Sequence, residues 1–416
     1  MNRYEIYKET DFEWIGEIPF DWELSRVGKF FNERSVKVDD VSYPPLSVTM
    51  SGIVDQLSDV AKTKDGGNRK LVKKDDFVIN SRSDRKGSSG IAPRDGSVSL
   101  INIVLEPHGL YPQFIEHLFK SYYFKEEYFR NGKGIHWDLW TTRWDQFKNI
   151  NIPIPSIEEQ KLIAHYLDKK TEQIDRLIDK TQKKIELLKE QRTAWIDQCI
   201  NKGSEYNLDG KISHLEGEQD TDLDFKKKKL KYLFKINKGI LPQSLKSEKE
   251  KDTFPYLSMN VLRGGNPTEF TEINNCVFAR KGDIAILWDG SNAGEILKIN
   301  VTGVLSSTVA LLRVSNSDLK QDYAFYLLKS LESLIKFNTI GMGIPHVNGD
   351  FLKNLEVNLP PIKVQERITN VLESNLLKLQ KSMFHHIDKI SLLKEYRQSL
   401  VSSVTTGQVL VTDDMI

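Results

Sequence analysis

The chain has 416 residues and a formal charge of +1, enough length for two or three domains with substantial cores. Near neutrality excludes nucleic-acid binding through bulk charge, so any such surface has to come from local placement of Arg and Lys. Two cysteines, Cys199 and Cys276, exclude a disulfide framework and fit a reducing cytoplasm. No stretch approaches the roughly 18 apolar residues of a membrane span, and the start lacks the apolar run of a signal peptide.

Residues 1–155 mix short strands with helices and form the first globular domain. Leu46-Ser47-Val48-Thr49 is strand-like and runs into a polar turn at Met50-Ser51-Gly52. Lys74-Asp75-Asp76 is a turn entering a buried strand, Phe77-Val78-Ile79. A polar, Gly-rich loop follows from Asn80 to Gly90, and residues 111–130 are expected as one aromatic-rich helix. Alternating apolar residues then end in proline at Asn151-Ile152-Pro153-Ile154-Pro155, as a strand stopped at its exit would.

Residues 156–204 lack Pro and, until Gly203, Gly. They predict one helix roughly 67 Å long for about 45 residues at 1.5 Å each, and its length alone suggests a coiled coil. Residues 205–225 are a polar, mostly acidic linker. The second globular domain, residues 226–360, begins with Lys226-Lys227-Lys228-Lys229, which fits a solvated face better than a phosphate contact. Residues 361–407 predict a second long helix, and 408–416 a C-terminal tail.

The second half repeats the first. Lys148 to Gln160 returns 205 residues later as Lys353 to Gln365, with Ile157-Glu158-Glu159-Gln160 matched by Ile362-Lys363-Val364-Gln365. The same register carries Lys184 to Arg192 onto Lys389 to Arg397, identical at seven of nine positions. The period exceeds the 20–50 residues of solenoid repeats and implies a duplicated unit.

Both helices carry heptads. Leu167, Ile174 and Leu188 form one seam of the first and Ile178 and Ile185 its companion. Leu372, Leu379 and Leu393, with Met383 and Ile390, occupy the same places in the second. Polar interruptions fall at matching positions, Thr181 with His386 and Arg192 with Arg397. Two such helices in one chain most simply pair with each other, antiparallel. The fold class is therefore α+β: two mixed α/β domains separated by two long helices pairing as an antiparallel coiled coil.

The helices are alike and the globular parts are not, which describes a common frame holding two differently specified readers. Their polar loops hold the candidate DNA-binding residues. In the first half these are Thr49, Ser51, Asn80, Arg82, Ser83, Arg85, Lys86, Ser88, Lys133, His136 and Trp137. In the second they are Asn260, Arg263, Trp288, Ser291, Asn292, His346 and Asn348. Arg suits guanine edges, Ser and Asn suit other edges or phosphates, and Gly allows close backbone approach. A solvated hairpin loop explains the same composition.

No catalytic or metal site is expected. The chain has no Walker-type phosphate loop and no Cys/His cluster at zinc spacing. Adjacent His385 and His386 point about 100° apart on a helix and are poorly placed to share a metal. Asp145 with Glu159 and Lys161 superficially resembles a nuclease set, but Glu159 and Lys161 become Val364 and Glu366 in the repeat.

Together these features resemble the specificity subunit of type I restriction-modification systems. The resemblance is carried by Trp14-Ile15-Gly16-Glu17-Ile18-Pro19-Phe20-Asp21-Trp22, by Pro155 to Gln160 and Pro360 to Gln365, and by Gly-x-Gly-Ile at Gly132 and Gly341. Val364, where the family usually has Glu, and His136, where it has Pro, depart from the pattern. The resemblance implies two target recognition domains, each reading half of a bipartite site in double-stranded DNA, spaced by the coiled coil. It also implies docking of two modification subunits carrying S-adenosylmethionine, and of restriction subunits using ATP and Mg2+, with no cofactor and no catalysis in this chain. The alternative is a coiled-coil protein–protein scaffold that never binds DNA.

Overall fold

The computed structural model describes residues 2–56, 67–82, 86–134, 140–202 and 225–416. Ser83, Arg85, His136, Trp137 and nearly all of the expected linker lie outside the described residues. The chain divides into two compact units, Met1–Lys183 with His386–Ile416, and Lys184–His385.

The first unit is built on an antiparallel four-stranded sheet in the order Ser89–Ile91, Phe77–Asn80, Asn102–Pro107, Phe31–Glu33. All four residues of Phe77–Asn80 are buried, consistent with a strand covered on both faces. Among the described residues, the β part also has a three-stranded sheet (Gly96–Val98, Arg69–Val72, Lys37–Val38) and the hairpin Leu46–Thr49/Gly52–Asp55, with Tyr7–Glu9 paired to Glu17–Pro19 and Glu23–Arg26 to Asn151–Ile154. Phe77, Phe114, Phe119, Phe124 and Phe147 are fully buried together, with the Phe119 and Phe124 rings stacked at 4.3 Å. Such ring contacts add roughly 0.5–1.5 kcal/mol each beyond the area they bury.

One helix was expected over residues 111–130, and there are two, Pro112–Lys120 and Tyr122–Arg130. Ser121 makes the break. Its backbone is extended, and its buried hydroxyl caps the second helix by accepting from the Phe124 N–H at 3.3 Å. The turn brings Phe119 and Phe124 face to face, a gain that an unbroken helix forfeits.

The second unit repeats this plan. Its main sheet runs Phe234–Lys238, Val309–Val314, Ile284–Leu287, Ile296–Lys298, all antiparallel. A smaller sheet contains Phe254–Leu257 beside Gly303–Leu305, paired in parallel. The lysine run Lys226–Lys229 is a strand paired with Glu356–Leu359, as Glu23–Arg26 pairs with Asn151–Ile154 in the first unit. Lys228 ion-pairs with Asp318 at 2.7 Å.

The long helices span Ile157–Lys202 and Ile362–Thr405. Ser156 is the N-cap of the first, its hydroxyl accepting from the Glu159 N–H at 3.3 Å. Gly407, in the left-handed region at φ +76°, ends the second. A Cβ there would lie 2.3 Å from the Pro19 ring, so only glycine fits. Within the first unit, Leu167 and Ile174 share a core with Leu400, Val401 and Val404, and Arg397 pairs with Asp175 at 2.9 Å. Within the second, Ile196 and Cys199 share a core with Ile368, Leu372 and Leu376. In both units the start of one helix packs beside the end of the other, an antiparallel coiled-coil pairing. Of the heptad positions, Leu167, Ile174, Ile185, Leu188 and Leu372 are buried, while Ile178, Leu379, Met383, Ile390 and Leu393 are half-buried. A single partner helix covers only part of each stripe.

The Trp14–Trp22 motif is core, with Ile18 fully buried and the Trp22 indole donating to Glu159 at 3.1 Å. Val409 and Val411 of the tail are buried in the same core, and the Gln408 amide donates to the Glu17 carbonyl at 2.6 Å.

Candidate nucleic-acid interface

In each unit the three polar loops found in the sequence come together around one end of the main sheet. In the first unit, Thr142 N–H donates to the Ser81 carbonyl at 3.0 Å, while Lys133 and Thr141 exchange backbone hydrogen bonds at 2.9 and 3.0 Å. Ser81, Lys133, Thr141 and Thr142 are thereby laced into one ledge. The turn after Leu46–Thr49 closes on the same place: a Cβ on Gly90 would lie 3.0 Å from the Gly52 Cα. Only bare backbone allows that approach.

The second unit uses the same lacing with different residues. Val347 N–H donates to the Trp288 carbonyl at 2.9 Å, Gly290 N–H to the Pro345 carbonyl at 2.9 Å, and Ile340 and His346 exchange bonds at 2.9 and 2.8 Å. Arg263 ties the third loop in through Glu295 at 2.5 Å.

The candidate side chains sort by what they touch. Arg82, Lys133, Ser291 and Asn292 are exposed. Thr49 and Ser51 lie on the hairpin turn, where the Thr49 hydroxyl donates to the Gly52 carbonyl at 2.8 Å. Lys86 holds Glu126 at 2.7 Å and lies 4.6 Å from the centre of the Phe129 ring. Arg263 and Lys86 are thus in partly exposed ion pairs, which are worth little in water and readily exchange a carboxylate for a phosphate. Asn80 and Ser88 are buried. The Asn80 carbonyl oxygen accepts from the Arg82 N–H at 3.0 Å, and its own N–H donates to the Ser88 carbonyl at 2.9 Å. Both therefore shape the loop. Asn348 likewise caps the helix Gly349–Asn354, accepting from the Phe351 N–H at 3.0 Å. Trp288 is half-buried with its ring against Gly349, and Asn260 packs against Gly265.

The residues missed in the sequence are those that support the loops from elsewhere in the chain. Lys120 bridges Glu116 at 2.7 Å and the Ser51 carbonyl at 3.3 Å. Lys125 lies beneath Gly87, and its ammonium titrates below the ordinary lysine value. Burial is the main cause; Lys86, Arg397 and Lys120 add to it, and Glu126 opposes. Lys86, Lys120 and Lys125 cluster at this loop, the first two paired with Glu126 and Glu116. Lys238 pairs with Asp289 at 2.7 Å in the second unit. A helix face of Lys and Glu gives no sequence signal that it underlies a distant loop.

The nuclease-like trio is not assembled. Glu159 accepts from the Tyr4 hydroxyl at 2.5 Å and from Trp22, so it holds the N-terminal segment to the helix. Asp145 pairs with Lys148 at 2.8 Å, which lowers its pKa. No group of three or more His, Cys, Asp or Glu among the described residues could hold a metal. Among those residues, no helix is long and apolar enough to cross a membrane.

The two globular parts share one fold and hold corresponding loops by corresponding backbone bonds. The family model for the type I restriction modification DNA specificity domain matches residues 21–188 and again 222–382, and the chain belongs to that family. The MjaVIII specificity subunit of Methanocaldococcus jannaschii is 40% identical over 139 residues, 33% of this chain and 32% of that protein. The chain thus spans about a third of that relative. The putative MjaX specificity subunit of the same organism is 21% identical over 98% of both chains. Among solved structures, one described as the structural basis of complex assembly and conformational transition of the type I R-M system superimposes with TM-score 0.72 at 16% identity. It covers 94% of this chain and 99% of that one. The HsdS subunit from Thermoanaerobacter tengcongensis gives 0.51 at 17% identity, covering 94% and 98%.

Proposed function

We propose that this chain is the non-catalytic specificity subunit of a type I restriction-modification complex, each globular domain reading one half of an asymmetric, bipartite site in double-stranded DNA. The observation that carries this reading is the loop ledge. The two family domains lace two of their loops by corresponding backbone bonds, yet present Arg82 and Lys133 in one and Ser291, Asn292 and His346 in the other. One frame with two sets of side chains suits two half-sites of different sequence.

The antiparallel helices act as the ruler between half-sites and as docking ground for two modification subunits. Leu187 and Leu392 stand at equivalent positions of the repeat and are 59% and 64% exposed, a matched pair of apolar contacts for two identical partners. S-adenosylmethionine, ATP and Mg2+ belong to the modification and restriction subunits in this reading.

The test is to sequence methylated bases in host DNA with and without this gene, the modification subunit being present in both. A two-part adenine-methylated motif that vanishes with the gene is expected. An unchanged set of motifs overturns the reading in favour of a scaffold that does not bind DNA.

A further inference from the structure

The repeat contains a buried polar side chain whose placement in the fold is duplicated, with two hydrogen bonds in common. Gln160 and Gln365 lie in the first turns of the two long helices and are 1% and 0% exposed. The Gln160 carbonyl oxygen accepts from the Tyr111 N–H at 2.8 Å, and its amide donates to the Pro155 carbonyl at 2.9 Å. The Gln365 carbonyl oxygen accepts from the Lys320 N–H at 2.9 Å, and its amide donates to the carbonyls of Pro360 at 2.8 Å and Asp318 at 2.6 Å. Tyr111 and Lys320 are themselves N-caps of helices Pro112–Lys120 and Gln321–Ser330, and neither has a side-chain cap of its own.

Each glutamine therefore joins three parts of one domain: the exit of the strand that leads into the long helix, the long helix itself, and the first helix of the globular domain. Apart from it, the long helix meets the globular part at this end through the covalent link, through apolar packing of Ile163 and Leu167 or Ile368 and Leu372, and through partly exposed polar contacts such as His117–Asp168 and Lys320–Glu366. The amide adds a further attachment from a segment 49 or 45 residues away in sequence. Apolar packing tolerates small rotations, whereas a buried and directional hydrogen-bond set at the junction resists them. Removing the amide leaves a buried N–H and one carbonyl (Gln160) or two (Gln365) without these partners in a dry junction, so the native angle loses part of its advantage over neighbouring ones.

We infer that Gln160 and Gln365 are positioning residues that fix the angle between each recognition domain and its long helix, and thereby hold the complex to one gap length. The inference rests on the reading function proposed above. Glutamine contributes no contact to DNA in this role, so the bases read in each half-site are independent of it.

The experiment uses the complex assembled with its modification subunits. Gln160→Met and Gln365→Met keep side-chain length and remove the polar atoms. Competition is measured between duplexes carrying the methylation-defined motif with its natural gap and with gaps one base pair shorter or longer. Each variant is expected to retain the bases of both half-sites while its preference for the natural gap falls about tenfold, the effect of one lost buried hydrogen-bond set. An unchanged gap preference overturns the inference, and so does altered base preference in either half-site. Loss of cooperative melting in both variants overturns it too, since the glutamines would then hold the fold and not the angle. A wild-type complex that selects no bipartite motif is a separate result, and it removes the reading itself.

Discussion

Lys125 sits under Gly87, where burial penalises its charge and nearby Lys86, Arg397 and Lys120 add to that penalty against the pull of Glu126. Its folded pKa is below its unfolded one. The penalty is thus full at neutral pH and is relieved as pH rises through the lowered value toward 10.5. Lys125→Met is expected to raise Tm at pH 7, by about 2–4 °C for each kcal/mol relieved. The wild-type protein should close that difference as the buffer approaches the lysine range. Calorimetry at several pH values checks the sign. The same substitution is expected to weaken DNA binding and reduce the slope of log K against log salt by about 1. A variant that is more stable yet binds with an unchanged slope would remove Lys125 from the interface.

The secondary-structure elements differ in how far they could be read from sequence, and the difference follows the range of the forces involved. The long helices were legible because a heptad is written locally: Leu167, Ile174 and Leu188 recur at fixed spacing wherever the partner lies. The strand ending at Pro155 was legible for the same reason. The break at Ser121 was not, because it is driven by the contact between Phe119 and Phe124 within a run that otherwise fits helix. Loop residues were legible by composition but not by role. Asn80 and Asn348 have the chemistry of base readers and are used to shape backbone, a distinction that burial makes and sequence does not. The supporting lysines were invisible because the loops they touch lie 38 to 69 residues away, Lys125 from Gly87 and Lys120 from Ser51. For the helices as a ruler, one heptad inserted after Lys183 and another after His385 lengthens each by about 10.5 Å, or roughly 3 base pairs of DNA. The methylated motif of that variant is expected to keep both half-sites and shift its gap. A gap that stays put would deny the helices any part in spacing.

At the scale of the whole molecule, the first unit takes residues from both ends of the chain. Tyr7 donates its hydroxyl to the Gly407 carbonyl at 3.1 Å, Leu410 N–H donates to the Asn2 carbonyl at 2.9 Å, and Val409 and Val411 lie in the core around Trp14 and Trp22. Deleting residues 408–416 removes two buried valines, worth about 1.5–3 kcal/mol each. Hydrogen exchange is expected to show the Phe77–Asn80 strand losing protection while Ile284–Leu287 keeps it. Equal loss in both strands would mean that the two units do not unfold separately.

The division of the chain into Met1–Lys183 with His386–Ile416, and Lys184–His385 between them, also sets an order of events during synthesis. A ribosome delivers the whole of the second unit before it delivers the segment that completes the first. At about 5–20 residues per second, the first globular domain waits roughly 10–40 s for its closing helix and tail. Through that interval its Trp14 and Trp22 side of the core lacks Leu400, Val404, Val409 and Val411. The half that is translated first is the last to mature, and it is the half whose nascent form most needs protection from aggregation.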